Sequence, residues 1–198
     1  MHNDKKITDT PESSENTTPE EEQRTALLKA ARAQMGKRKW KEALAIYQEI
    51  LALQQEIGDI PGTARTKNDI ASIYLAQKSW QQALDTLNEA LPDLRVAEDH
   101  DQEAIALNNV AAAQYELGDW HAALDTYEEA LALRRDMQDK VGEAKTVRNI
   151  GILYAKQGNT DKAKIYLNKA LAVATQAKSR TMVKAIRQTL SQLRKSRR

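Results

Sequence analysis

One stretch in the middle of the chain is copied on either side of itself. AIALNNVAAAQYELGDWHAALDTYEEALAL, from Ala104, recurs forty residues earlier as ARTKNDIASIYLAQKSWQQALDTLNEALPD, from Ala64, and forty residues later as AKTVRNIGILYAKQGNTDKAKIYLNKALAV, from Ala144. A weaker copy begins at Arg24. Trp40, Trp80 and Trp120 fall in register, as do Ala43, Ala83, Ala123 and Ala163. So do Ile50, Ala90, Ala130 and Ala170, and Leu51, Leu91, Leu131 and Leu171. Asp59, Asp99 and Asp139 mark the unit boundary. Self-similarity at this period is the signature of a stacked repeat, in which each unit buries its apolar face against its neighbours. The low aromatic content, 5% with no Phe, fits that arrangement, because small residues at helix crossings let helices approach closely.

Each unit reads as two helices around a short break, Gly118-Asp119 in the central copy. Thr18-Pro19-Glu20-Glu21 opens the first helix with a capping box and a proline at the first helical position. Ala26, Leu27, Ala30, Ala31 and Ala33 recur at helical spacing up to about Lys37, with Gly36 weakening the end. The second helix runs from Trp40 to Ile57, and Gly58 stops it. Asp59-Ile60-Pro61 starts the next hairpin, whose buried stripe is Ile70, Ala71, Ile73 and Tyr74. Ser79 is placed to cap the helix beginning at Trp80, and Pro92 inside that helix predicts a local kink. Asp119 caps in the third hairpin; the fourth breaks at Gly158-Asn159, with Thr160 in place of the tryptophan. The tryptophans are expected to wedge between neighbouring helices. These signals divide the chain into a polar tail (1–17), expected to be disordered, four hairpins (18–59, 60–99, 100–139, 140–179) and a basic helix (180–198). That helix places Val183, Ile186, Leu190 and Leu193 on one face and is expected to cap the stack.

With no cysteine, disulfides and thiolate metal sites are excluded. No apolar run approaches bilayer-spanning length and no signal-peptide core is visible, so a cytoplasmic location is expected. His2, His100 and His121 show no metal-ligand spacing and lie near no nucleophile pattern, and no glycine-rich phosphate loop exists. The expectation is a non-enzymatic protein without a metal or cofactor. The net charge of +2 hides an acidic N-terminus and a basic C-terminus. The basic end, which lacks interleaved aromatics, reads as a solubilising cap, with nucleic-acid or membrane association as the alternative.

The register of small and large residues resembles the tetratricopeptide repeat. In that family the first helix carries a small residue where Ala31, Ala71, Ala111 and Gly151 stand, and the second carries alanines where Ala83 and Ala90, or Ala123 and Ala130, stand. The period is similar to that of the longer subclass found in kinesin light chains, spindle-orientation adaptors and many bacterial signalling proteins. The resemblance spans about residues 22–179. Lys67, at a usually apolar position, Thr160 and the poorly matching first helix depart from it, and the first repeat is expected to pack loosely. The resemblance implies an all-α, right-handed solenoid of four hairpins whose first helices line a concave groove.

Asn68, Asn108, Asn109 and Asn149 recur near the middle of the first helices, where asparagine is a poor helix former. In the family, asparagines at such positions grip a bound peptide through its backbone; the competing reading is hydrogen bonding between adjacent repeats. The same helical face is expected to carry Arg32, Arg65, Lys145 and Arg148, opposed by Asp69, with Ile105, Tyr115 and Ile152 as apolar spots. This face suits a protein or peptide segment with acidic and apolar side chains. The lysine, asparagine and arginine set that captures C-terminal carboxylates in chaperone-binding members is absent. The resemblance implies an interaction adaptor or scaffold, or alternatively a ligand- or peptide-responsive signalling regulator.

Overall fold

A computed structural model describes residues 18–195. Among them the chain forms α1 (Pro19–Gly36), α2 (Trp40–Glu56), α3 (Ile60–Ala76), α4 (Trp80–Val96), α5 (His100–Glu116), α6 (Trp120–Asp136), α7 (Lys140–Lys156), α8 (Thr160–Gln176) and α9 (Arg180–Lys195). The acidic tail and the last basic residues, Arg197 and Arg198, lie outside the described residues. No helix among the described residues is long and apolar enough to cross a membrane.

The forty-residue period divides into two equal halves. Helices α2 to α8 each contain 17 residues, and three residues join each to the next. The second residue of every connection is left-handed: Arg38, Gly58, Lys78, Glu98, Gly118, Gln138, Gly158 and Lys178, with φ between 51° and 99°. In most connections the third residue caps the following helix with its side chain; Lys39 does not. Asp59 accepts from the Gly62 amide at 2.9 Å, Asp99 from Gln102 at 3.2 Å, Asp119 from Ala122 at 3.0 Å, and Asp139 from Gly142 at 2.9 Å. Asn159 does the same for Lys162 at 3.1 Å. The aspartates at the unit boundaries are therefore caps, each offering an oxygen to one of the helix's orphan amides. The capping box predicted at Thr18 forms. Ser79 sits in the same backbone conformation as Asp99, but its hydroxyl makes no capping bond, whereas Ser179 at the equivalent position accepts from the Met182 amide at 3.4 Å. Pro92 is exposed and α4 continues through it to Val96.

The small-residue series are the crossings of the stack. Ala43, Ala83, Ala123 and Ala163 are inaccessible to solvent, and so are Ala31, Ala71 and Ala111. At Gly151, the fourth member of the second series, an added Cβ would lie 2.9 Å from the Leu167 side chain and 3.2 Å from its backbone nitrogen. Tyr47, Leu87, Tyr127 and Leu167 fill the space between these contacts. First helices touch the first helices of neighbouring units, α3 with α5 and α7 with α9, whereas second helices stand further apart. The stack therefore curves with its first helices inside. α9 closes the far end through Ile186 and Leu193, against the cluster that holds Ile150 and Leu167. At the near end α1 fully buries only Ala31, and a cavity of about 500 Å³ lies between its first turns and the end of α2, lined by Gln23, Arg24, Leu53 and Ile57. The first hairpin packs loosely, as its sequence predicts.

The tryptophans depart from the expected wedge. All three are only half-buried. Trp40 and Trp120 lean on the edges of the core clusters, and Trp80 lines a cavity on the inner face. The first residue of a second helix lies at the rim of the hairpin, so its side chain covers the core instead of entering it.

Candidate functional site

The middles of α3, α5 and α7 carry the asparagines, and the structure links them in a continuous seam. Asn149 donates through Nδ2 to Asn108 Oδ1 at 3.2 Å, and Asn109 donates to Asn68 Oδ1 at 3.3 Å and to Ser72 Oγ at 3.2 Å. Asn108 donates to the Ala104 carbonyl at 2.8 Å and to Thr146 Oγ1 at 3.0 Å. Asn68 donates to the Gln102 carbonyl at 3.3 Å and to Gln102 Oε1 at 3.1 Å. At the last junction Arg148 Nε donates to Thr189 Oγ1 of α9 at 3.0 Å. A residue at one position thus bonds its counterpart one place further along in the next unit, an offset of 41 residues. Asn68 and Asn108 are buried and bonded at both ends of the amide; Asn109 and Asn149 are half-buried. No described residue donates to Oδ1 of Asn109 or Asn149, which leaves two acceptors on the inner face.

Beside the seam lies a cavity of about 250 Å³, lined by Leu75 and Trp80 from the second hairpin, Ala112 and Tyr115 from α5, and Asn149, Ile152 and Lys156 from α7. Its floor is apolar, and Lys156 Nζ stands 4.7 Å from the centre of the Tyr115 ring while pairing with Glu116. The predicted Tyr115, Asn149 and Ile152 meet here. Leu75, Trp80 and Lys156 complete the cavity and were not foreseen. Leu75 and Trp80 come from the preceding unit, so no local pattern marks them, and Lys156 lies one turn beyond Ile152 at the end of α7.

The charges divide along the face. At the N-terminal end Arg24 pairs with Asp59 at 3.0 Å, Arg65 pairs with Asp99, and Arg32 stands 3.9 Å from Asp69. Arg65, Asp69, Arg32 and Arg24 line a second, polar cavity of about 250 Å³. Burial raises the Asp69 carboxyl above its ordinary range, while Arg32 and a hydrogen bond from Tyr47 at 3.2 Å pull it back. At the C-terminal end Lys145 is exposed, and Arg148 is half-buried with its pKa lowered by desolvation. Among the described residues no carboxylate pairs with either. Ile105 occupies the position of Arg65 and Lys145 in the intervening unit and is half-buried. The structure therefore gathers the expected residues into two groups, an ion-paired one around Arg65 and Asp69 and an apolar, cationic one around Tyr115, Ile152 and Asn149. Lys67 reaches Glu89 of α4 at 2.8 Å, which accounts for a lysine at that position. Among the described residues no group of His, Cys, Asp or Glu is placed to hold a metal ion.

The geometry has counterparts among solved structures. Aspartyl phosphate phosphatase F from Bacillus subtilis superposes with a TM-score of 0.77 over 86% of this chain and 45% of its own, at 13% identity. A Rap protein complexed with competence and sporulation factor gives 0.76 over 84% and 46%, at 20% identity. A putative kinesin light chain from Podosopora anserina, with nearly identical TPR-like repeats, gives 0.68 over 88% and 87%, at 16% identity. The chain spans under half the length of the first two. A search of curated protein sequences gave no match. Models of the tetratricopeptide repeat match residues 22–95 and 93–136, and again residues 149–173. The register of alanines, the paired helices and these matches agree: the chain belongs to the tetratricopeptide repeat family.

Proposed function

We propose that the protein is a non-enzymatic adaptor that holds a segment of a partner protein along the inner face of α3, α5 and α7. The observation that carries this reading is the apolar cavity between Tyr115 and Ile152, set beside open amide acceptors and uncompensated cations. An apolar partner side chain enters the cavity. Asn109 and Asn149 accept from the partner's main-chain amides through Oδ1. Lys145 and Arg148 meet acidic side chains, and no internal ion pair has to be broken for them to do so. Arg65 and Asp69, already in ion-paired surroundings, bound the site at its other end, with Ile105 between. Asn68 and Asn108 act as positioning residues, each holding the amide of the next unit in place.

Peptide display against the intact protein tests this. Selected peptides should pair an apolar or aromatic residue with a nearby acid. Ile152→Asp, which buries a charge at the cavity wall, should weaken them by tenfold or more. Asp85→Asn on the outer face should change nothing. Full binding by Ile152→Asp with a native circular dichroism spectrum refutes the site. A ligand-responsive regulator is the second reading, supported by the fold shared with a Rap protein solved with a bound factor. Scattering profiles that do not change when a selected peptide is added would count against it.

A further inference from the structure

The outer face has its own irregularity, in the grooves between successive second helices. Each groove is floored by the first helix that lies between them. In the groove of α2 and α4, Lys67 rises from α3 to pair with Glu89. In the groove of α4 and α6, Arg95 bonds Glu103 at 2.8 Å and also crosses to Glu129 on α6. Glu89 and Glu129 occupy the same position of the repeat, forty residues apart. In the third groove that position is Lys169. Arg135, the counterpart of Arg95, bonds Glu143 at 3.0 Å, and its partner across the groove is now a second cation. Lys169 lies 5.3 Å from the centre of the Tyr166 ring instead.

The third groove is accordingly open. It encloses about 580 Å³, with Leu131, Val147, Ile150 and Val173 beneath Arg135 and Lys169. Glu143, which also takes Lys140 at 2.9 Å, and Glu128 on the α6 wall are its carboxylates. A second departure sits one turn before Lys169. Asp85 and Asp125 of the two preceding second helices are replaced by Ile165, which is 53% exposed. The outer face of α8 has thus exchanged two carboxylates for an isoleucine and a lysine, where a groove with an apolar floor lacks its closing ion pair.

We propose that the groove between α6 and α8 is a second docking surface, for an amphipathic protein segment whose apolar side covers Leu131, Val147 and Val173. A carboxylate of that segment takes the place between Arg135 and Lys169 that Glu129 fills for Arg95. The surface lies on the opposite side of the stack from the inner cavity, so both can be occupied together.

The test is Lys169→Glu, which restores the pattern of the preceding units. The new carboxylate should close the groove by pairing with Arg135 across it, and raise Tm by about 1–3 °C. The probe is a fluorescent amphipathic helical peptide with leucines on one face flanked by glutamates, alongside its lysine counterpart. The glutamate peptide should bind wild type at least tenfold more tightly than the lysine peptide. Lys169→Glu should weaken it about tenfold and Ile165→Asp should weaken it as well, whereas the inner-face variant Ile152→Asp should bind it as wild type does. Equal binding of the two peptides overturns the proposal. So does unchanged affinity in Lys169→Glu, loss in Ile152→Asp, or no binding of either peptide.

Discussion

Replacing Asn108 by alanine tests whether the amide seam couples the repeats. Asn108 is 7% exposed and takes part in three hydrogen bonds, to the Ala104 carbonyl, to Thr146 Oγ1 and from Asn149 Nδ2. A typical intramolecular hydrogen bond contributes about 1 kcal/mol net, and stranding a buried partner costs about 1–3 kcal/mol. The Thr146 hydroxyl is inaccessible to solvent and keeps no other bond, so it carries most of that penalty. Asn149 is half-buried and recovers water. The Ala104 carbonyl stays within its helix ladder. The sum is about 3 kcal/mol, which for a chain of this size lowers Tm by roughly 6–12 °C. Asn149→Ala removes one bond at a wetter site and should cost about 1 kcal/mol. Because the two residues share a bond, the double variant should be less destabilised than the sum by about 1 kcal/mol. Urea unfolding followed by circular dichroism gives all four corners of the cycle. A loss below about 0.5 kcal/mol for Asn108→Ala, or strict additivity with Asn149→Ala, refutes the seam as a structural coupling.

Two further outcomes follow from burial and charge. Trp120→Ala removes a half-buried ring at the edge of the core and should cost roughly 2 kcal/mol, below the 3–5 kcal/mol of full burial. Thr160→Ala should cost under about 0.5 kcal/mol, since Asn159 and not Thr160 caps α8; equal losses in thermal melts would contradict this. Asp69 and Glu143 should show opposite pH signatures. Burial raises the Asp69 carboxyl, so the stability it contributes is present below its unfolded pKa and lost as pH rises through the folded value. Asp69→Asn should therefore gain on wild type as pH rises above the ordinary carboxylate value of about 4. Burial opposes ionisation of Glu143, but hydrogen bonds from Lys140 and Arg135 outweigh it and hold the carboxyl low. Its contribution is present above the unfolded pKa and lost on acidification. Glu143→Gln should trail wild type at pH 7 and converge with it below about pH 4. Urea midpoints across pH that move the same way for both would exclude this assignment.

The fold was legible because period and residue size report the same crossings: an alanine every forty residues is a helix contact every forty residues. The equal halves were hidden, because five of the eight left-handed positions carry side chains, among them Glu98 and Gln138. Aligning at an offset of 40 stacks Asn68 over Asn108, whereas the bonds run at an offset of 41, from Asn109 to Asn68. The same asparagines thus suggest a row before the coordinates show a seam. The tryptophans recur regularly yet sit at the rim, because a repeat fixes where a residue lies in its unit and not how deep. Asp59, Asp99 and Asp139 were visible as boundaries, but their role as caps depends on the backbone. The cavity at Tyr115 draws on three hairpins, and the open outer groove is a difference between units, recognisable only once Arg95 and Glu129 are seen in contact.

The seam also sets a rule for how such a stack can lengthen. The third hairpin donates through Asn109 to the unit before it and accepts through Asn108 from the unit after it, so a second copy of it would meet the first with the same amide pair that already joins it to α7. A second copy of the second hairpin would bring Asp69 up to Asn68. There the Asn68 carbonyl, which now accepts from Asn109, would face a carboxylate with no proton to offer. Asp69 suits the junction that faces Arg32, and Arg148 suits the one that faces Thr189 of the cap. The polar groups thus encode an order of assembly: two ends that each fit one neighbour, and a middle unit that can be duplicated without rewriting either of its joints.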